Sequence, residues 1–306
     1  MLVLNKKNVI IYLQIYPYER RKYMKTKIKF AILCSAIIGM LAACEKNNIT
    51  VILPSVSGSV TPVPSTNISK STNTGHNGYY SSVDNNKTGN DLLAELRKLN
   101  SAKRRKTVGY KNLGDYYLQT DGDPNNPGNV ICFYSGKSVK FSGSFSGNVN
   151  REHVWPNSRG GSDVEGDIHM TRPTLTNENG SRGNAFFVEN SKSQTSGWDP
   201  AMESFGQEYY RGITARIVFY CVIASTSLSL VDTNNDNSKN KTMGKLSTLL
   251  DWNYRYDIHE TEIRRNDAAE KIQGNRNPFI DDRSYACSVF KNYNSSTQQV
   301  CAKYGY

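Results

Sequence analysis

"NREHVWPNSRGGSDVEGDIHMTRPTLTNENGSRGN", residues 150–184, carries two of the chain's four histidines, His153 and His169. Glu152 sits directly before His153, with Arg151 ahead of the pair and Trp155-Pro156 closing the run. Glu165, Asp167, Asn179 and Arg182 follow. A lone Glu-His pair is equally at home on a surface loop, or as a histidine hydrogen-bonded to backbone. The whole set is a different matter, because it contains what hydrolysis of a phosphodiester requires. An attacking water must lose a proton, and a neutral imidazole near its usual pKa suits that task. Charge on the phosphoryl and leaving oxygens must be neutralised, which a hard cation such as Mg²⁺ does with few oxygen ligands. Arginine supplies donors that match phosphate.

Adjacent residues of a regular strand point to opposite faces. If Glu152 and His153 serve one phosphate, the backbone must be leaving the strand there. Pro156 favours such an ending, so the Glu-His pair is predicted at a strand's end, with Trp155 packed in the core.

Around this window the periodicities are mostly helical. In "NDLLAELRKL", Asn90 is a plausible N-cap and Leu92, Leu93, Leu96 and Leu99 share one helical face. "NVICFYSG" and "KSVKFSGSFSG" alternate between glycines and read as short strands. "MESFGQEYYRGITARIVFYCVIAST" reads as a long buried helix, and "MGKLSTLLDW" and "ETEIRRNDAAEKIQ" as further helices. Residues 90–306 suffice for one core. The expected fold is α+β, a mostly helical single domain.

The first 43 residues have the form of a lipoprotein signal: a basic start, the apolar run "FAILCSAIIGMLAA", then Cys44 as the lipidation site. That run is short for a membrane span. Translation from Met24 would make Cys44 the first mature residue. Residues 1–43 hold eight Lys or Arg against one Glu, so their removal lowers the net charge from +11 to +4. Basicity therefore says little about nucleic acid, although a polyanion remains compatible. Residues 44–89 are rich in Ser, Thr and Asn and read as a flexible tether. The expected destination is periplasmic or cell-surface. Cys132 and Cys221 lie in apolar runs and read as small core residues. Cys287 and Cys301 are a candidate bridge in an exported protein.

The window resembles the bacterial endonuclease I family of nonspecific nucleases, in the ββα-metal (His-Me finger) group. "NREHVWP", "DIHMTRP" and "NGSRGN" match its pattern, and "RNDAAEKIQGNRNPFID", residues 265–281, is similar to a second family stretch. The likeness spans residues 92–290. It implies that His153 is the general base and that Glu152 and Asn179 hold Mg²⁺, with Mn²⁺ or Ca²⁺ as alternatives in an oxygen-rich site. Glu165 matches an acidic position beside the site, and Asp167 and His169 match positions that orient the loop or a catalytic group. Arg182 is implied at the scissile or a neighbouring phosphate. Arg151 and Arg159 are alternatives, and Arg276 is a further phosphate candidate. "KRRK", residues 103–106, is either a phosphate clamp or a solvated face. Where relatives often carry a cysteine before the motif, this chain has Val149.

The resemblance implies a monomeric, exported, Mg²⁺-dependent endonuclease acting on DNA, with RNA as a further substrate, that leaves 5′-phosphate and 3′-hydroxyl ends. The rival is a non-catalytic surface-binding lipoprotein that reuses the fold; loss of Glu152, His153 or Asn179 would have marked it, and all three are present.

Overall fold

The computed structural model describes residues 2–5, 8–11, 78–145, 147–202, 207–234 and 242–306. The chain divides into two units, Met1–Pro64 and Ser65–Tyr306. In the first unit only an antiparallel hairpin is described, β1 (Leu2–Asn5) with β2 (Asn8–Ile11). Met24, the apolar run, Cys44 and His76 lie outside the described residues.

In the second unit, the described residues start at Gly78, before the expected boundary at residue 90. Tyr79, Tyr80 and Val83, assigned to the tether by composition, are buried in the main core. Tyr80 donates its hydroxyl to Asp281 at 2.5 Å, so two aromatic rings outweigh the polar neighbours that suggested a linker. Helix α1 (Gly89–Lys103) follows, with Thr88 rather than Asn90 at its N-cap position, and buries Leu92, Leu93, Leu96 and Leu99 as their spacing dictates.

The short helix α2 (Gly114–Thr120) leads to the hairpin β3 (Asn129–Ile131) and β4 (Ser138–Lys140). Then come β5 (Val149–His153) and β6 (Thr171–Leu175), antiparallel with Glu152 opposite Arg172 and His153 opposite Thr171. Helix α3 (Thr176–Arg182) starts directly after β6. Two strands and a helix thus form one local unit. A small ladder, β7 (Lys192–Ser193) with β8 (Gly197–Trp198), comes next. The rest is helical: α4 (Tyr210–Ala224), α5 (Leu246–Arg255), α6 (Glu260–Gln273), α7 (Pro278–Asp281), α8 (Ser284–Phe290) and α9 (Ser295–Lys303). The fold is mixed helix and strand, with small sheets.

Helix α4 is buried on every side over Tyr210–Ile223, as its near-continuous apolar run requires. Its charged residues are paired: Arg216 grips Glu262 of α6 at 2.6 and 2.7 Å, and Arg211 grips Asp199. His259 caps α6 through its ring nitrogen, completed by Glu262 reaching back to the cap backbone. Cys287 and Cys301 are bridged, joining α8 to α9, while Cys132 and Cys221 are free and buried.

The stretch 265–281 forms the wall behind the strand–strand–helix unit. Arg265 meets the carbonyl of Thr171 at 2.8 Å and pairs with Asp121, which also accepts from Arg172. Gln273 donates to Asp167 and accepts from the Ile168 amide. These bonds hold the β5–β6 connection against α6.

Candidate active site

Strand β5 ends at His153, as Pro156 requires. The chain then turns through Asn157–Arg159 into Gly160, at φ +92°, and Gly161. A Cβ on Gly161 would lie 2.0 Å from the Trp155 carbonyl, so only glycine allows this return. The turn and α3 enclose a cleft of about 290 Å³, lined by Glu152, His153, Pro156, Asn157, Ser158, Asn179, Arg182, Gly183 and Asn184. Asn179, distant in sequence, shares this cleft with the adjacent Glu152 and His153.

Glu152 is 1 % exposed. Its Oε1 accepts the Tyr134 hydroxyl at 2.6 Å and lies 3.2 Å from Arg182 Nη1. Its Oε2 is buried with no hydrogen-bond partner. Burial pushes the Glu152 carboxyl above its ordinary range, countered in part by Arg182 and the Tyr134 hydroxyl. A buried carboxylate oxygen without a donor fits a cation. Asn179 Nδ2 donates to the Arg151 carbonyl at 3.2 Å, which fixes the amide so that its oxygen is the atom left for another partner. One carboxylate and one amide suit a cation that keeps most of its own waters. Among the described residues no group of three His, Cys, Asp or Glu could hold a metal ion.

His153 is held beside this pair. Its ring stacks on Tyr110, with centroids 4.9 Å apart, and Nε2 is buried, 3.8 Å from Glu165 Oε2 and without a hydrogen-bond partner. Burial lowers the imidazole below its ordinary pKa while Glu165 opposes the shift. The ring is therefore neutral, with a lone pair available, at neutral pH. Glu165 is itself fixed by Asn157 Nδ2 at 2.8 Å.

Three of the four candidate arginines are buried. Arg182 is 1 % exposed. Nη1 donates to the His153 carbonyl and Nη2 to the Val154 carbonyl, both at 2.9 Å, and its buried Nε meets no acceptor. It clamps the strand end carrying the Glu-His pair and also lines the cleft. Arg159 is buried, bound to the Asn184 and Thr242 carbonyls. Arg276 is buried among Asp281, Glu270 and Asp267. Neither lines the cleft. Arg151 lies half-buried with its guanidinium 3.9 Å from the Tyr110 ring centroid and 4.4 Å from that of Phe145, on the same strand face as His153.

Asp167 and His169 lie outside the cleft lining, in a buried knot. Tyr220 and Gln273 donate to Asp167, and His169 Nε2 lies 3.0 Å from the Asn275 carbonyl. Burial lowers the His169 pKa to about 4. In the "KRRK" run, Arg104 turns inward to Asp167 at 3.7 Å and Lys106 sits over Tyr116.

Tyr134 and Tyr110 escaped the sequence reading. Tyr134 occupies the turn between β3 and β4 with a left-handed φ of +73°, a conformation that costs a non-glycine residue about 1–2 kcal/mol. "CFYSG" contains no asparagine or glycine at that position to betray it. Tyr110 follows Gly109 in an unpatterned segment.

Across residues 88–284 the chain matches the family model for endonuclease I. The chain belongs to the endonuclease I family. Like the family, it is a nuclease that hydrolyses phosphodiester bonds. An extracellular ribonuclease of Bacillus subtilis (strain 168) is 32% identical over 234 residues, covering 69% of this chain and 78% of that protein. An extracellular ribonuclease of Bacillus amyloliquefaciens is 31% identical over 272 residues, covering 81% and 91% respectively. In this endonuclease I chain the cleft with Glu152, His153 and Asn179 falls inside the matched span.

Proposed function

We propose that the chain is an exported, divalent-cation-dependent endonuclease of the ββα-metal (His-Me finger) kind, cleaving DNA and RNA with little sequence preference. The observation that carries this reading is the buried, donor-free Oε2 of Glu152 in one cleft with a neutral His153. The β5–β6–α3 order supports the finger assignment. RNA enters as a substrate because both relatives carry the name extracellular ribonuclease; the same names support export. The signal-like residues 1–43 and Cys44 support a lipid-anchored form on the periplasmic or cell-surface side.

Glu152 and Asn179 would hold the cation, with Mg²⁺ the first candidate and Mn²⁺ or Ca²⁺ compatible with the same oxygens. When bound, it supplies charge neutralisation at the phosphoryl and departing 3′ oxygens. His153 takes the proton from the attacking water at Nε2, leaving 5′-phosphate and 3′-hydroxyl ends. Tyr110 holds the imidazole plane, Glu165 favours the protonated ring that results, and Arg182 fixes the backbone that presents both Glu152 and His153. Asp167 and His169 act at a distance, keeping the β5–β6 connection against α6.

The test is cleavage of circular DNA, linear DNA and RNA by the chain, before and after EDTA and after Mg²⁺ is restored. Loss with EDTA, recovery with Mg²⁺ and nicking of circular DNA are expected. Undiminished cleavage in EDTA would overturn the cation dependence, and a strict requirement for free ends would overturn the endonuclease.

A further inference from the structure

Glu152 is gripped on one oxygen only. The Tyr134 hydroxyl, at 2.6 Å, and Arg182 Nη1, at 3.2 Å, both converge on Oε1, while Oε2 in the same buried carboxylate meets no donor. A carboxylate can accept on both oxygens, so this one-sidedness is a property of the surroundings. Tyr134 reaches Oε1 from outside the β5–β6–α3 unit. Its turn is tied down by the Cys132 amide on the Lys137 carbonyl (2.8 Å), the Gly136 amide on the Cys132 carbonyl (2.9 Å) and the Phe133 amide on the Pro173 carbonyl of β6 (2.7 Å). The ring is fully buried and packs edge-on against Trp198. A tyrosine at φ +73° in so fixed a turn delivers its hydroxyl to one place.

We infer that Tyr134 is a positioning residue for the cation site: by occupying Oε1 together with Arg182, it fixes the carboxylate rotation and presents Oε2 as the ligand atom. This rests on the reading of Glu152 as a cation ligand. Outer partners of this sort typically change metal affinity about 10–100-fold when removed.

The experiment is calorimetric titration of the chelator-treated chain with Mn²⁺ alone, without nucleic acid, in wild type, Tyr134→Phe, Glu152→Gln and the double variant. Tyr134→Phe is expected to weaken Mn²⁺ binding about 10-fold, Glu152→Gln to abolish it, and the double variant to match Glu152→Gln, because Tyr134 acts only through that carboxylate. In turnover, Tyr134→Phe should raise the half-saturating Mn²⁺ concentration, leave KM for nucleic acid unchanged and recover its kcat when Mn²⁺ saturates. A purely structural role would depress kcat at every Mn²⁺ concentration. Tyr134→Leu, which also lacks the hydroxyl but fills less space, controls for packing: both variants should weaken Mn²⁺ alike while melting at different temperatures. Wild-type affinity in Tyr134→Phe, or affinity that tracks melting temperature across the two variants, overturns the inference. Absence of binding in wild type, or wild-type binding by Glu152→Gln, overturns the cation reading of Glu152 instead.

Discussion

Replacing Arg182 by methionine separates architecture from chemistry at this site. The guanidinium is 1 % exposed, as is the carboxylate it faces. Its loss strips the His153 and Val154 carbonyls of their 2.9 Å donors and leaves the Glu152 charge with only the Tyr134 hydroxyl. Breaking a buried ion pair by deleting one partner costs about 3–5 kcal/mol. Orphaned acceptors add to this, each costing about 1–3 kcal/mol if no other donor moves in. The ion-pair loss alone, near 4 kcal/mol, should lower the melting temperature by at least roughly 8–16 °C in a domain of this size. The assay is circular-dichroism melting alongside single-turnover cleavage. Adding Glu152→Gln to Arg182→Met should regain part of the stability, because the uncompensated buried charge goes with it. If Arg182→Met melts with wild type and loses only turnover, the clamp assignment is refuted and the guanidinium belongs on the substrate.

Three further outcomes are expected. Cleavage should fall on the acid side with a midpoint below the ordinary imidazole pKa, because burial lowers that of His153; Glu165→Gln removes the opposing charge and should move the midpoint to still lower pH, as a single-turnover pH profile would read. His169, with its pKa lowered to about 4, stays neutral in the folded state while the unfolded chain protonates near 6.5. Its contribution is therefore complete above about pH 6.5 and lost as pH falls towards 4. Urea titrations should show about 2 kcal/mol less stability at pH 5 than at pH 7 from this group, a difference that His169→Gln reduces. Replacing Cys287 and Cys301 by serine opens a loop with a sequence separation of 14 and should cost about 3 kcal/mol by denaturant titration, with cleavage retained because the bridge joins α8 to α9, outside the cleft lining.

Much of this arrangement was legible before the structure. The leucine spacing of residues 92–99 and the apolar run of α4 located their helices, and Pro156 located the end of β5. That Glu152, His153 and Asn179 line one cleft was legible because chemistry-bearing residues cluster in one short window. The places of the arginines were not legible, for a physical reason. A guanidinium suits phosphate and a buried carbonyl equally well, and sequence carries no record of which is nearer. Arg159, Arg182 and Arg276 all turned inward. Tyr134 and Tyr110 were illegible for the opposite reason: one aromatic sits in a short apolar segment that reads as core and the other in a segment with no pattern, and only three-dimensional placement brings the hydroxyl or ring to a functional group. The tether boundary failed similarly, since Tyr79 and Tyr80 find their partners some two hundred residues away.

The most direct measurement is the single-turnover rate of His153→Ala on circular DNA and on RNA with saturating Mg²⁺, beside its melting temperature. The expected result is a fall of about 10²–10⁴-fold on both substrates with melting close to wild type, because Nε2 meets no hydrogen-bond partner in the fold. A variant that cleaves at the wild-type rate would contradict the assignment of the imidazole as the base.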